Sequence, residues 1–132
     1  MKTSKYLTTI CLILGTMLPL IVDTGHTHLL NPDWDAHSRV HEVWRLSTNI
    51  FIAAIGLYLL WVSNYLLLPA LLSSCIVLGF FSSIFTMSLY GGVPIGEGIE
   101  EPNPFGIPAN IFVFIIIGII QSISLIFIFQ NR

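Results

Sequence analysis

Charge is scarce in this chain. Of its 132 residues only 9% are Asp, Glu, Lys or Arg, against 55% hydrophobic, where a soluble domain carries roughly a quarter charged. A water-soluble fold of this length has no means of burying so much apolar surface, so lipid must cover most of it. Basic residues are fewest of all: five Lys and Arg against seven Asp and Glu, a formal net charge of −2. Without a basic patch, nucleic acid is excluded as a partner class. Cysteine is limited to Cys11 and Cys75. Two thiols make neither a disulfide framework nor a zinc-finger spacing, and in apolar stretches each behaves as a small hydrophobe. Both are expected to be free.

What is abundant is apolar sequence in long runs. Four are visible, at residues 6–22, 46–62, 66–90 and 107–129. Each can cross a hydrocarbon core of about 30 Å as a helix, the first two with little to spare. The expected fold is therefore all-α, a polytopic membrane four-helix bundle in one domain. Lys2 and Lys5 precede the first run as they would in a signal peptide, but no small-residue cleavage site follows, so it reads as a retained span. Ser63, Asn64 and Tyr65 leave room only for a tight reversal between the second and third runs. Pro69 then fits the first turn of the third helix, where its missing N–H is not needed.

This topology sorts the polar residues. Lys2, Lys5 and Arg132 fall on one side, which the positive-inside rule makes cytoplasmic together with both termini. The connections 23–45 and 91–106 fall on the other, with Arg39, Arg45, all seven acids and all four histidines. No ionisable residue lies deep in a span, which argues against a proton or ion path through the centre. A transporter would require homo-oligomerisation, because four short spans supply little machinery. Cys75, Gly79 and Ser83, spaced by four, read as a small-residue stripe for close helix contact. Gln121, Ser122, Ser124 and Asn110 are candidates for hydrogen bonds between helices.

The segment 25–45 is where chemistry can reside. Asn31 suits an N-cap, Pro32 the first helical position and Asp33 the first turn, so a helix is expected to start near Pro32 and run into the second span. Trp34 and Trp44 are then placed for the membrane interface. On that helix His37 and His41 share one face, with Trp34, Trp44 and Thr48 along it. Arg39, Glu42 and Arg45, three apart, allow an ion-pair ladder on the adjacent face. In an extended segment His26 and His28 point the same way, so a loop pair and a helix pair of imidazoles can converge.

Three functions compete for these residues. In the first, two or three of His26, His28, His37 and His41, with Asp33, Asp35 or Glu42, bind a divalent metal such as zinc or iron. In the second, His37 or His41 moves a proton on a lipophilic small molecule with Glu42 as its partner, and no metal is used. In either case Arg39 or Arg45 would hold an anionic group of the substrate. In the third, the polar residues cap helices and anchor at lipid headgroups while the protein supports a larger assembly. The Gly- and Pro-rich connection 91–106 should be irregular, its glycines make no phosphate loop, and Glu97, Glu100 and Glu101 could fold over the histidine end.

The pattern His-x-His-Leu-x-Asn-Pro-x-Trp-x-x-His-x-Arg-x-His-x-x-Trp, from His26 to Trp44, resembles a family of small four-span membrane proteins of unknown function found in bacteria and fungi. That resemblance implies the four-span fold and carries no activity. A looser similarity is to the sterol isomerase and sigma-2 receptor group, whose members handle lipophilic amines or sterols in a cavity within the bundle. That group places an acid deep in a span, and this chain has none there.

Overall fold

The computed structural model describes residues 2–96, 100 and 102–131. Four helices are each long and apolar enough to cross a membrane: α1 (Lys2–Asp23), α2 (Ala36–Trp61), α3 (Leu67–Thr86) and α4 (Ala109–Gln130). The tight turn between α2 and α3 reverses the chain as expected. Asn64 takes a left-handed conformation (φ 57°), which Asn tolerates better than most residues, and the Tyr65 N–H donates back to Leu59 O at 3.0 Å. Pro69 lies in the first turn of α3. Among its described residues, the connection before α4 is irregular apart from 3₁₀ turns at Met87–Leu89 and Pro104–Gly106. Glu97, Glu101 and Arg132 lie outside the described residues.

Helices alternate in direction, and each packs against its sequence neighbours, with α1 also contacting α4 and α3. Both chain ends and the α2–α3 turn therefore share one end of the bundle. Buried positions recur at steps of three and four, as in Phe114, Ile117, Gln121, Ser124 and Ile128 of α4, the spacing of four-helix bundles. Lipid tails are as apolar as leucine, so packing and interhelical hydrogen bonds must hold the helices together. Ser124 Oγ lies 2.8 Å from Thr8 Oγ1 and donates to Ser4 O at 3.1 Å, tying α4 to α1. Gln121 Nε2 donates to Ala70 O at 2.7 Å and Ser74 Oγ at 3.1 Å, tying α4 to α3. Such bonds contribute about 0.6 kcal/mol each in a bilayer. Ser122 bonds only within its own helix, and Asn110 reaches the loop at Pro94 O.

The small-residue stripe of α3 is corrected by the structure. Cys75 and Ser83 are exposed, and a side chain added at Gly79 would meet nothing within 4 Å. That face looks outward. The close approach occurs instead between α1 and α2, where a Cβ on Gly56 would lie 2.9 Å from Leu12 Cδ1. Cys11, also free, is buried against α4.

At the end that carries both termini, Lys5 Nζ lies 4.4 Å from the centroid of the Trp61 ring and donates to Asn64 Oδ1 at 3.0 Å. Trp61 Nε1 donates to Thr9 Oγ1 at 3.0 Å. Lysine and tryptophan so placed mark a membrane–water boundary. Measured from Trp61, the 26 residues of α2 span about 39 Å against about 30 Å of hydrocarbon. The excess, about a turn and a half, would stand beyond the opposite face, with His37 about 6 Å past the hydrocarbon and His41 at its edge.

Candidate functional site

Helix α2 starts four residues later than the sequence suggests, at Ala36. Asn31 spends its side chain on an Asx-turn, accepting the Asp33 N–H at 2.9 Å. Asp35 is the N-cap: its Oδ1 accepts the backbone N–H groups of His37 at 2.8 Å and Ser38 at 3.0 Å, and its Oδ2 accepts the Ser38 hydroxyl at 2.5 Å. Two local acceptors competed, and the one satisfying two helix N–H groups prevailed. These bonds, the Ser38 hydroxyl first, hold the Asp35 carboxyl below its ordinary range. A depressed carboxyl pKa contributes stability above the unfolded value, lost as pH falls through the folded one. Asp35→Ala is accordingly expected to speed amide exchange at His37 and Ser38 near neutral pH and to leave exchange unchanged in strong acid. Equal exchange in both proteins at neutral pH would remove the cap from the account.

On the first two turns of α2, His37 and His41 meet. Their Nε2 atoms are 2.9 Å apart and their rings are perpendicular, with centroids 4.5 Å apart. Both side chains are exposed, and His41 stacks on Trp44 at 6.0 Å. The expected continuation of this stripe to Trp34 fails, because Trp34 precedes the helix. It stands edge-on to His28, with ring centroids 5.6 Å apart.

On the adjacent face only half of the proposed ladder forms. Arg45 donates through Nε to Glu42 Oε2 at 3.1 Å and through Nη2 to Glu42 Oε1. The same Nη2 reaches Asp23 Oδ2, at the end of α1, at 2.5 Å. Arg39 does not join. Its Nη2 donates to Asn31 O at 2.9 Å, holding the turn before α2, and its Nε is buried with no partner among the described residues. His28 Nδ1 lies 3.8 Å from Asp23 Oδ1 and 3.0 Å from Thr27 Oγ1, whereas His26 is exposed.

The loop pair and the helix pair of histidines are thus not gathered. Among the described residues no group of three or more His, Cys, Asp or Glu side chains is placed to hold a metal ion. What the structure does bring together is an open recess of about 450 Å³ lined by His41, Glu42, Arg45, Ser38, Trp34, Asp33 and Asp35. Trp34 gives it an apolar wall and Asp33 and Asp35 an acidic rim. Asp23 is the site residue that sequence reasoning passed over. Its signal was its position, an acid at the end of the first apolar run on the same face as Arg45. The sequence was compared with protein-family models, with curated proteins and with solved structures, and none matches.

Proposed function

We propose that this integral membrane protein binds a divalent transition metal, zinc or iron, at His37 and His41 and acts there on a lipophilic substrate. The observation that carries this reading is the 2.9 Å separation of the two Nε2 atoms, on the first two turns of α2 and beside the recess. Two nitrogens bound to one tetrahedral zinc at about 2.0–2.1 Å are about 3.3 Å apart. The pair is therefore within a small ring rotation of bidentate geometry, and it is half of a closed coordination shell. Zinc held there would polarise a carbonyl or phosphoryl oxygen, and iron would add redox chemistry. Within the recess Trp34 would receive the apolar part of the substrate, Glu42 would orient Arg45, and Arg45 would steer an anionic group. His26, His28 and Asp33 would enter the shell only after rearrangement of residues 24–34.

The same 2.9 Å contact is also a normal N–H···N hydrogen bond, which favours a second reading. In that reading one imidazole donates to the other and the pair passes a proton to a substrate without metal. Elemental analysis of protein extracted in mild detergent separates the two. Zinc or iron retained by the wild type, and reduced by at least tenfold in His37→Ala/His41→Ala, is expected for a metal site. A folded wild type that takes up neither metal when supplied would overturn the metal reading and leave proton sharing or a purely structural role. By the positive-inside rule Lys2 and Lys5 at the opposite end favour a non-cytoplasmic site, and protease access to residues 91–106 in sealed vesicles tests that orientation.

A further inference from the structure

Helix α2 carries a second regular face, turned away from the bundle. Four aromatic rings, His37, Trp44, Phe51 and Tyr58, repeat at intervals of seven, and all are exposed. Between them, again at intervals of seven, stand His41 and three β-branched residues, Thr48, Ile55 and Val62, also exposed. Read along the helix, ring and branched positions alternate at steps of four and three. Fluid lipid chains require no such register. A partner helix does, because a 3.5-residue repeat keeps one seam in contact along the length of two supercoiled helices. In two-stranded parallel coiled coils β-branched residues occupy one of the two seam positions. Beside the seam, Ser47 and Ala54 are small, and the charge of Arg45 is already met by Glu42 and Asp23. No like charges would oppose each other across the seam.

We propose that two copies of this chain pair in parallel along the outward face of α2, and that His37 and His41 of both copies form one four-imidazole site for a single divalent metal ion. This deepens the metal-binding reading and rests on it. Copies inserted with the same topology are related by a two-fold axis along the membrane normal, so identical residues approach one another across the seam. The imidazole pairs end that seam at the same height. Each copy brings two nitrogens, and two copies complete the tetrahedral set that one copy leaves half filled. The occupant is a second copy rather than a different protein because only the copy supplies the missing two ligands in register.

Two readouts on protein in lipid nanodiscs supplied with zinc and then desalted test this. The first is zinc content per chain. The second is disulfide formation by Thr48→Cys in a Cys75→Ser background, driven by the metal-free oxidant diamide, with Leu78→Cys on the exposed face of α3 as control. Half an equivalent of zinc per chain, with dimer from Thr48→Cys and none from Leu78→Cys, is expected. A full equivalent, with or without cross-linking, would overturn the shared site while preserving metal binding within one chain. Cross-linking without zinc would keep the dimer but overturn its shared zinc site. Failure of both readouts would overturn the pairing and the zinc site together.

Discussion

Arg45→Ala is expected to be among the most destabilising single changes in the molecule, lowering stability by about 2–3 kcal/mol. Glu42 is only 9% exposed, and both of its carboxylate oxygens are held by Arg45. Asp23 shares the same guanidinium, and its remaining neighbour is His28 at 3.8 Å. Removing the cation leaves two carboxylates close together, one of them buried, at the lipid boundary. Breaking a fully buried pair in this way costs about 3–5 kcal/mol. The figure is discounted here because the Arg45 side chain is 43% exposed and water screens it. Arg45→Lys should recover less than half of the loss, since an ammonium cannot bridge Glu42 and Asp23 as the planar fork does. Arg45→Leu with Glu42→Leu should recover more, because it removes the orphaned charge as well. Reversible unfolding in mixed detergent checks all three. A loss below about 0.5 kcal/mol for Arg45→Ala, the range of an ordinary surface change, would mean that the triad is not formed in the membrane.

The second large effect should come from Gly56→Val. A Cβ at Gly56 already falls 2.9 and 3.2 Å from the two terminal carbons of Leu12. Leu12 is fully buried and packs with Ala53 and Ile76, so it has little room to withdraw. Overpacking of this kind costs about 1–3 kcal/mol, and a β-branched side chain belongs at the upper end. Gly79→Val should be within about 0.5 kcal/mol of the wild type, because its added atoms point into lipid. Leu12→Ala should be destabilising alone yet partly restore Gly56→Val, a coupling that two independent sites would not show. Equal losses for the two valine variants would mean that the outward phase of α3 is wrong.

Those two glycines also show what the sequence can and cannot disclose. Span number, the reversal at Ser63–Tyr65 and the placing of the histidines and the described acids at one end of the bundle follow from length, composition and alternation of direction, and the structure has them. The rotational phase of α3 does not follow. Between Leu67 and Thr86 nearly every side chain is apolar or small, so no face is marked for the interior. The structure buries Ala70 and Ser73 and turns the expected stripe of Cys75, Gly79 and Ser83 outward. Packing against α4 through Gln121 selected the Ala70 face.

The site was legible in the same uneven way. The His37–His41 pair is a local consequence of helical spacing, and the structure places the two rings in contact. The Arg45–Glu42 bond is equally local. Asp23 reaches Arg45 only because α1 and α2 are antiparallel neighbours, a tertiary fact that no local pattern encodes. The start of α2 turned on which of two capping residues opened the helix: Asn31 closes a turn on the Asp33 N–H, and Asp35 takes the His37 and Ser38 N–H groups, a choice that depends on turn geometry more than on residue type. His26 and His28 depended on how the turns of residues 24–34 close, and these set His28 beside Asp23 and Trp34.

The clamp of Lys5, Thr9 and Asn64 around Trp61 has a consequence at the other end of the molecule. It moors α2 at one water boundary, so the height of the histidines above the far boundary is the helix length minus the thickness of the membrane. The protein thereby becomes a ruler. In a bilayer several ångströms thicker the turn bearing His41 sinks toward the acyl chains, and in a thinner one it stands further into water. Solvent access to the imidazole pair is then governed by the host membrane as well as by the fold, and sterol-rich and sterol-poor membranes would present the same polypeptide with different degrees of exposure.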